Sequence, residues 1–530
     1  MGKTLSYLQL MKQVHRFSQV LLSLGVQRGD RVGLVLPNCP QYVIGYYAAA
    51  RIGAVIVGNN PLYTGRELSH QLKDAGIEVC VVLDQLYPKL AEVQDEVGLR
   101  EVIVTKVTDY VRFPLNLLVP LKLRKEARHH GDPWPLVPAG AKVRWWNELM
   151  AGSYPLAPVA DVDPQTDVAG LIYTGGTTGL SKGAMLTHAN LVSNVMQSAA
   201  WFPDLQDGRE AGMCIIPFFH SYGMTVAMNL GIYKGAKLVL MPRFELEPTL
   251  KVIQKEKPTL FPGVPRLYIA INEGKETSRY NLKSIRACLS GAAPLPLAVA
   301  EKFHRITGAT VVEGYGLTET SPVTHANPLD GRARPGTIGL PIPDTDCRIV
   351  DLDDWTKEVE PGNEGELIIS GPQVMQGYFN RPDETAGMIK QAEDGTTWLL
   401  TGDIAKMDED GYFSIVDRKK DMILVSGFNV YPTDVEQVIY KHPKVQKVCV
   451  AGIPDQSTGE AVKAYIVLRE GQTATADEIV QWLRNEESGL TGYKVPKLIE
   501  FRESLPETLV GKVLRRVLQQ EEQAKATAGG

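Results

Sequence analysis

Cysteine is scarce in this chain and never clustered. Cys39, Cys80, Cys214, Cys288, Cys347 and Cys449 are scattered singly through 530 residues, with no C-x-x-C pair. That argues against a disulfide scaffold and a zinc site, and fits a reducing compartment. Long apolar runs are missing too. No window approaches the roughly 18 apolar residues of a membrane span, and "VLLSLGV" near the N-terminus is too short for the core of a signal peptide. Basic surplus is also absent: a net charge of −5 and a pI of about 6.1 speak against a nucleic-acid partner. These absences describe a soluble, cytoplasmic protein. Its 44% hydrophobic and 22% charged content is ordinary, and its length allows several domains.

What is present alternates between two periods. Met11, Val14, Phe17, Leu21 and Leu24 recur at helical spacing over residues 5–24, with Gly25 as the stop. "RVGLVLPN" (31–38), "AVIVG", "IEVCVVLD" (77–84) and "REVIVT" (100–105) are apolar on both faces, the mark of parallel strands covered by helices on either side. The predicted fold class is therefore α/β: a large N-terminal domain of parallel-rich sheets covered by helices. After "VDRKKD" the pattern changes to a compact α+β unit, with helices at "TDVEQVIYKH" and "TADEIVQWLRNE" and strands at "VQKVCVAGIP" and "VKAYIVLR". The expected division is a domain over 1–416, a hinge at 417–420 and a small mobile domain over 421–530. The tail "QQEEQAKATAGG" reads as frayed. Within 107–147, "RFPLNLLVPLKLRKEARHH" interleaves five Lys or Arg residues with leucines. It reads as a surface insertion, with a peripheral contact at the inner membrane face as the sharper alternative.

The stretch "YTGGTTGLSKGAML" (173–186) concentrates Gly and Thr ahead of a lysine. "GLIY" before it is a buried strand, and "HANLVSNVMQSAAW" after it is a helix. Loops joining such elements are short and often functional, so a linker is a poor reading. Gly179-Leu180-Ser181-Lys182-Gly183 matches the G-x-S-x-G elbow of hydrolases, which would make Ser181 a nucleophile. That elbow needs a strand running straight into the turn, and "TGGTTG" stands there instead. It is not a Walker A loop, because Ser181 precedes Lys182. Glycine lets backbone N–H groups approach an anion, threonine hydroxyls add donors and lysine adds charge, so a phosphate cradle is the physical reading.

The loop also resembles the phosphate loop of the adenylate-forming superfamily, which includes acyl-CoA synthetases, peptide-synthetase adenylation domains and firefly luciferase. The chain carries further motifs of that superfamily in order: "EGYGLTETSP" (313–322), "GELIISGPQVMQGYFNRPDET" (365–385), "WLLTGDIAKMDEDGYFSIVDRKKDMILVSGFNVYPTDVE" (398–436) and "GKVLRR" (511–516). The Gly-Gly loop, "NPLYTGRELSHQL" and the 107–147 insertion look most like bacterial long-chain fatty-acid–CoA ligases. Members of that group usually extend further upstream than "GKTLSYLQL", which leaves any homodimer contact open.

The resemblance implies an ATP-dependent reaction in which a fatty acid becomes an acyl-adenylate and is then transferred to coenzyme A. It assigns Thr174, Gly175, Gly176, Thr177, Thr178, Gly179 and Lys182 to the β- and γ-phosphates. Glu319 matches the Mg²⁺ ligand; one carboxylate suffices, because phosphates and water complete the shell. Thr318 adds a phosphate contact. Tyr315 matches the adenine-stacking residue, framed by Gly291, Ala292, Gly314 and Gly316. Asp403 matches the acid that binds the ribose hydroxyls, assisted by Arg418. Lys512 matches the lysine that bridges carboxylate and α-phosphate. Lys420 falls at the family's hinge, with Lys419 read as a solvated charge, and Ser426 and Gly427 lie in the arm lining the pantetheine tunnel. His220, with Gly223, Met224 and Gly291, matches the acyl pocket. The rivals are a medium-chain or aryl-acid ligase, an acyl-AMP ligase loading a carrier protein, and, from another class, a hydrolase using Ser181.

Overall fold

A computed structural model describes residues 2–116, 118–119, 121, 125, 137, 140, 142–174, 181–455, 457–484, 490, 492–508 and 513–528. Its first sheet has six parallel strands, in the order Val168–Thr174, Val55–Gly58, Arg31–Val35, Val79–Leu83, Glu101–Thr105 and Val143–Trp145. Along Val79–Leu83 all five residues are buried. Val79, Val81 and Leu83 enter a core with Phe17, Leu21 and Tyr42 on one face. Cys80 and Val82 enter a second core with Leu68 and Leu72 on the other. This division explains why the strand reads as a continuous apolar run. The helix Tyr7–Ser23 opens on a capping box in which Ser6 and Gln9 satisfy each other's backbone N–H.

A second sheet combines parallel Ala287–Ser290 and Thr310–Gly316 with antiparallel Val323–Ala326 and Leu340–Pro341. The third is antiparallel throughout: Asp346–Val350, Gly365–Ser370, Thr397–Met407, Ile389–Gln391 and Phe413–Arg418. The chain then makes a short turn over Lys419–Asp421. It enters a separate sheet of Ile423–Val425, Phe428–Val430, Val445–Asp455, Gly459–Leu468 and Leu498–Phe501, backed by helices Pro432–Tyr440 and Ala476–Arg484. The fold is thus α/β with a smaller C-terminal unit, as the alternation of periods predicts.

Three local expectations need correction. The glycine-rich loop does not lead directly into a helix. Residues Lys182–Thr187 form a strand antiparallel to Val168–Thr174, and only then does Thr187 cap the helix His188–Trp201. The six residues "KGAMLT" are too short to show a period of their own, and the edge of the sheet supplies their pairing. The tail is not frayed before its end: Arg515–Ala528 is a helix. Its Leu518 is buried, and Glu522 pairs with the buried Lys463 at 2.9 Å. Lys419, though 40% exposed, is not merely a solvated charge; it donates to Glu366, a buried carboxylate, at 2.9 Å. Most of residues 117–136, the middle of the 107–147 insertion offered as an alternative membrane contact, lie outside the described residues. Among the described residues no helix is long and apolar enough to cross a membrane.

Candidate active site

The second and third sheets bring the motif residues together through cross-strand pairing. Asp403 and Arg418 are directly opposite in the antiparallel pair Thr397–Met407 and Phe413–Arg418, a placement that favours opposite charges. Asp403 is 2% exposed. Its Oδ2 accepts from the Tyr315 hydroxyl at 2.5 Å. Arg418 Nε lies 2.8 Å from Oδ1, but among the described residues no donor aims at that oxygen, which is buried without a hydrogen bond. A buried carboxylate oxygen with spare capacity fits a ribose hydroxyl donor. Burial works against the Arg418 charge, yet Asp403, Tyr315 and Glu319 outweigh it and raise its pKa.

Tyr315 is aimed by its own strand. It pairs with His325 across the sheet, and a bulge follows between Tyr315 and Gly316, a feature that redirects side chains. The chain then curls back so tightly that a Cβ on Gly316 would lie 1.9 Å from the Pro322 carbonyl oxygen, so only glycine fits. Gly291 packs 3.8 Å from the Gly314 carbonyl by the same measure, which sets the "SGAAP" segment alongside Tyr315. Ala292 holds φ = 69°, a left-handed conformation that non-glycine residues adopt at a cost and that clusters at functional sites.

Behind the Tyr315 ring stands His325, fully buried, with its ring centroid 5.9 Å from Tyr315 and 4.7 Å from Phe413. Burial pushes its pKa down to about 3. The folded state keeps this histidine neutral, whereas the unfolded chain takes up a proton near pH 6.5, so its contribution to stability is lost as pH falls. Relative to His325→Gln, the wild type is expected to lose about 2 kcal/mol more between pH 7 and pH 5. Glu313, pushed up to about 7 by burial, titrates in the opposite sense, so the difference between the two proteins is the quantity to measure by urea unfolding. An equal loss in both would show that His325 is already protonated in the fold.

Glu319 lies in the short turn Thr318–Thr320 and is 8% exposed. Its Oε1 accepts from the Tyr378 hydroxyl at 2.5 Å, and among the described residues its Oε2 has no hydrogen-bond partner. Among the described residues no group of three or more His, Cys, Asp or Glu gathers as a cation cage. A divalent ion here would use Glu319 together with ligand phosphates, an arrangement that suits Mg²⁺. Lys182, 17% exposed, stands 3.7 Å from Glu384 and 5.3 Å from the centre of the Tyr378 ring. Thr318 Oγ1 lies 3.3 Å from Ser221 Oγ, which joins "PFFHSYG" to this group. Burial takes the His220 pKa down to about 4, and its Nδ1 accepts from the Tyr222 N–H at 3.2 Å. The helix after it is a π-helix over Gly223–Asn229, a rare form frequent at functional sites.

Some expected site residues do not join this cluster. Ser426 and Gly427 form an exposed two-residue turn between Ile423–Val425 and Phe428–Val430, with φ of 51° and 82°. Such positive angles define the tight hairpin turn that glycine favours. A Cβ on Gly427 meets nothing within 4 Å, so here the backbone angle, not crowding, demands glycine. Lys420 is exposed in the turn Lys419–Asp421. Gly175, Gly176, Thr177, Thr178, Gly179 and Lys512 lie outside the described residues.

The structure also adds residues to which the sequence reading gave no role. Tyr173, next to the loop, donates to Asp74 at 2.7 Å, and Arg381 pairs with the same carboxylate at 2.7 Å. On the other side of the loop, His70 Nε2 lies 3.4 Å from the Ser181 carbonyl. Asp74 and His70 belong to the helix Gly65–Asp74. The periodicity of that helix does not show that its end meets the loop.

Comparison with known proteins places the whole chain. The family pattern of the AMP-binding enzyme matches residues 1–379, and that of the AMP-binding enzyme C-terminal domain matches 434–512. The chain is 44% identical over 521 residues to a long-chain-fatty-acid–CoA ligase of Bacillus subtilis, covering 98% of this chain and 90% of that one. It is 42% identical over 526 residues to the Yersinia pestis long-chain-fatty-acid–CoA ligase, covering 98% and 91%. ATP-bound MatB from Rhodopseudomonas palustris superposes with a TM-score of 0.81 at 29% identity, covering 97% and 93%. The chain belongs to the AMP-binding enzyme family.

Proposed function

We propose that this chain is an AMP-forming acid–thiol ligase that joins a long-chain fatty acid to coenzyme A in two steps. In the first, a carboxylate oxygen attacks the α-phosphorus of ATP, the bond to the bridging oxygen breaks, and pyrophosphate leaves. In the second, the coenzyme A sulfur attacks the acyl carbon, the thiol proton is released, and AMP departs. Adenylation is needed because a free carboxylate is a poor electrophile. The observation that carries the reading is the cluster of Tyr315, Asp403 and Arg418, in which the buried Asp403 Oδ1 pairs in charge with Arg418 but accepts no hydrogen bond among the described residues. The relatives' substrate supports the choice of acid.

In this reading Asp403 and Arg418 hold the ribose, and Tyr315 stacks the adenine beside Gly291, Ala292, Gly314 and Gly316. Lys182, Thr318 and the Thr174–Gly179 loop bind the phosphates, and His220 with the π-helix borders the acyl chain. Mg²⁺ on Glu319 would neutralise phosphate charge. Lys512 meets the carboxylate and α-phosphate, and the domain division at 417–420 lets the small domain turn between steps to present Ser426 and Gly427.

Pyrophosphate release with ATP, Mg²⁺ and palmitate, with and without coenzyme A, tests the reaction class. The same assay over acids of graded length separates the medium-chain and aryl-acid rivals. Lys182→Ala is expected to raise the ATP KM and slow adenylation by about 10- to 150-fold, the worth of a charge-assisted contact of roughly 1.5–3 kcal/mol. Ser181→Ala should do far less. Abolition by Ser181→Ala with Lys182→Ala intact would instead favour the hydrolase.

A further inference from the structure

Tyr378 stands between two groups that the reaction needs, and no motif argument gives it a role. Its backbone is pinned to the second strand of the phosphate hairpin: Gly377 and Tyr378 pair with Met185 and Ala184, and Phe379 N–H donates to the Gly183 carbonyl at 2.8 Å. The Tyr378 N–H donates to Thr385 Oγ1 at 2.9 Å. With the side chain only 5% exposed, the ring has little freedom.

From that fixed position the hydroxyl reaches Glu319 Oε1 at 2.5 Å, with Met388 Sδ at 3.0 Å behind it. A phenol has one proton, and the nearer, charged carboxylate is the stronger acceptor. The ring face lies 5.3 Å from the Lys182 ammonium, within cation–π range. One side chain therefore touches both the carboxylate assigned to the cation and the lysine assigned to the phosphates.

We propose that Tyr378 is a positioning residue for the metal–triphosphate end of the site, its hydroxyl locking Glu319 by one oxygen so that the other faces the cation, and its ring steadying Lys182. This rests on the roles proposed for Glu319 and Lys182. A carboxylate free to rotate would have to be ordered each time MgATP binds; one already held through Oε1 offers Oε2 in a single direction. Outer partners of metal ligands act in this way, and their loss weakens metal affinity about 10- to 100-fold.

Calorimetric titration of ATP at graded Mg²⁺, and in EDTA, tests the proposal without turnover. Four proteins are compared: wild type, Glu319→Gln, Tyr378→Phe and Tyr378→Leu. Tyr378→Phe keeps the buried ring and is expected to fold; the Mg²⁺ concentration for half-maximal enhancement of ATP binding should rise about 10- to 100-fold, with binding in EDTA unchanged. Tyr378→Leu should also weaken binding in EDTA by roughly two- to fivefold, because the ring face is gone. An unaltered Mg²⁺ response in Tyr378→Phe, with the wild type responsive and Glu319→Gln unresponsive, overturns the proposal and leaves the reading of Glu319 standing. A full Mg²⁺ response in Glu319→Gln overturns that reading and the proposal with it.

Discussion

Lys512→Ala is expected to cut acyl-adenylate formation by about 10²–10³ or more, the usual loss when one transition-state donor is removed. The same variant should still turn pre-formed acyl-adenylate and coenzyme A into thioester. The asymmetry follows from charge. Lysine is needed where a carboxylate meets a phosphate, and the thiol step brings no such pair of anions together. Lys420→Pro and Gly427→Leu should show the reverse, adenylating nearly normally and failing at the thioester. Proline restricts φ in the turn Lys419–Asp421 and so resists rotation. Leucine at Gly427 must adopt φ = 82°, a strain of roughly 1–2 kcal/mol for a residue with a side chain. Gly427→Asn, which tolerates that angle, separates turn strain from obstruction by bulk. Pyrophosphate release and thioester production are assayed separately for each variant. Equal loss of both steps in Lys512→Ala, Lys420→Pro and Gly427→Leu would refute a mechanism in two conformations.

Arg515→Ala is expected to destabilise the protein by about 3–5 kcal/mol, because it strands the buried Asp417 and the partly buried Asp421 and Glu436. Arg515, only 15% exposed, reaches Asp421 at 2.7 Å, Glu436 at 2.8 Å and Asp417 at 4.0 Å, and donates to the Val450 carbonyl at 2.6 Å. Asp417 also accepts from the Thr433 N–H at 2.7 Å. The arginine thereby ties the end of the third sheet and the turn after it to the helix and strand of the small domain. Burial raises the pKa of Asp417 and Glu436 despite the pull of Arg515. Without the arginine both rise further, so the folded variant takes up protons that the unfolded chain does not. Its deficit against the wild type should therefore shrink as pH is lowered from 8 toward 5. Urea unfolding at both pH values measures it, and an identical deficit at each would show that the carboxylates are not left unpaired.

Chemistry carried by contiguous residues was legible without the fold. Tyr315 and Glu319 sit in "EGYGLTETSP", Asp403 and Arg418 in one long motif, and Lys182 at the end of the glycine-rich loop. The parallel strands were legible too, since burial on both faces writes an uninterrupted apolar run. Short segments were not. "KGAMLT" contains a lysine and a glycine and becomes a strand only because Val168–Thr174 offers it a free edge. The tail "QQEEQAKATA" lacks an apolar stripe of its own, and its helix is held by Leu518 and by ion pairs reaching Lys463.

The sequence by itself determined the family, because the motifs that mark it, from the glycine-rich loop to "GKVLRR", are each built from residues close together in the chain. Only tertiary structure decided which groups support them. Asp74 meets Arg381 across more than 300 positions, Tyr378 meets Glu319 across 59, and Arg515 meets Asp421 across 94. A side chain can sit in a recognisable motif, yet nothing in that motif names its partner. Its partner is chosen by strand order and sheet register, which emerge only when the whole chain buries its apolar faces.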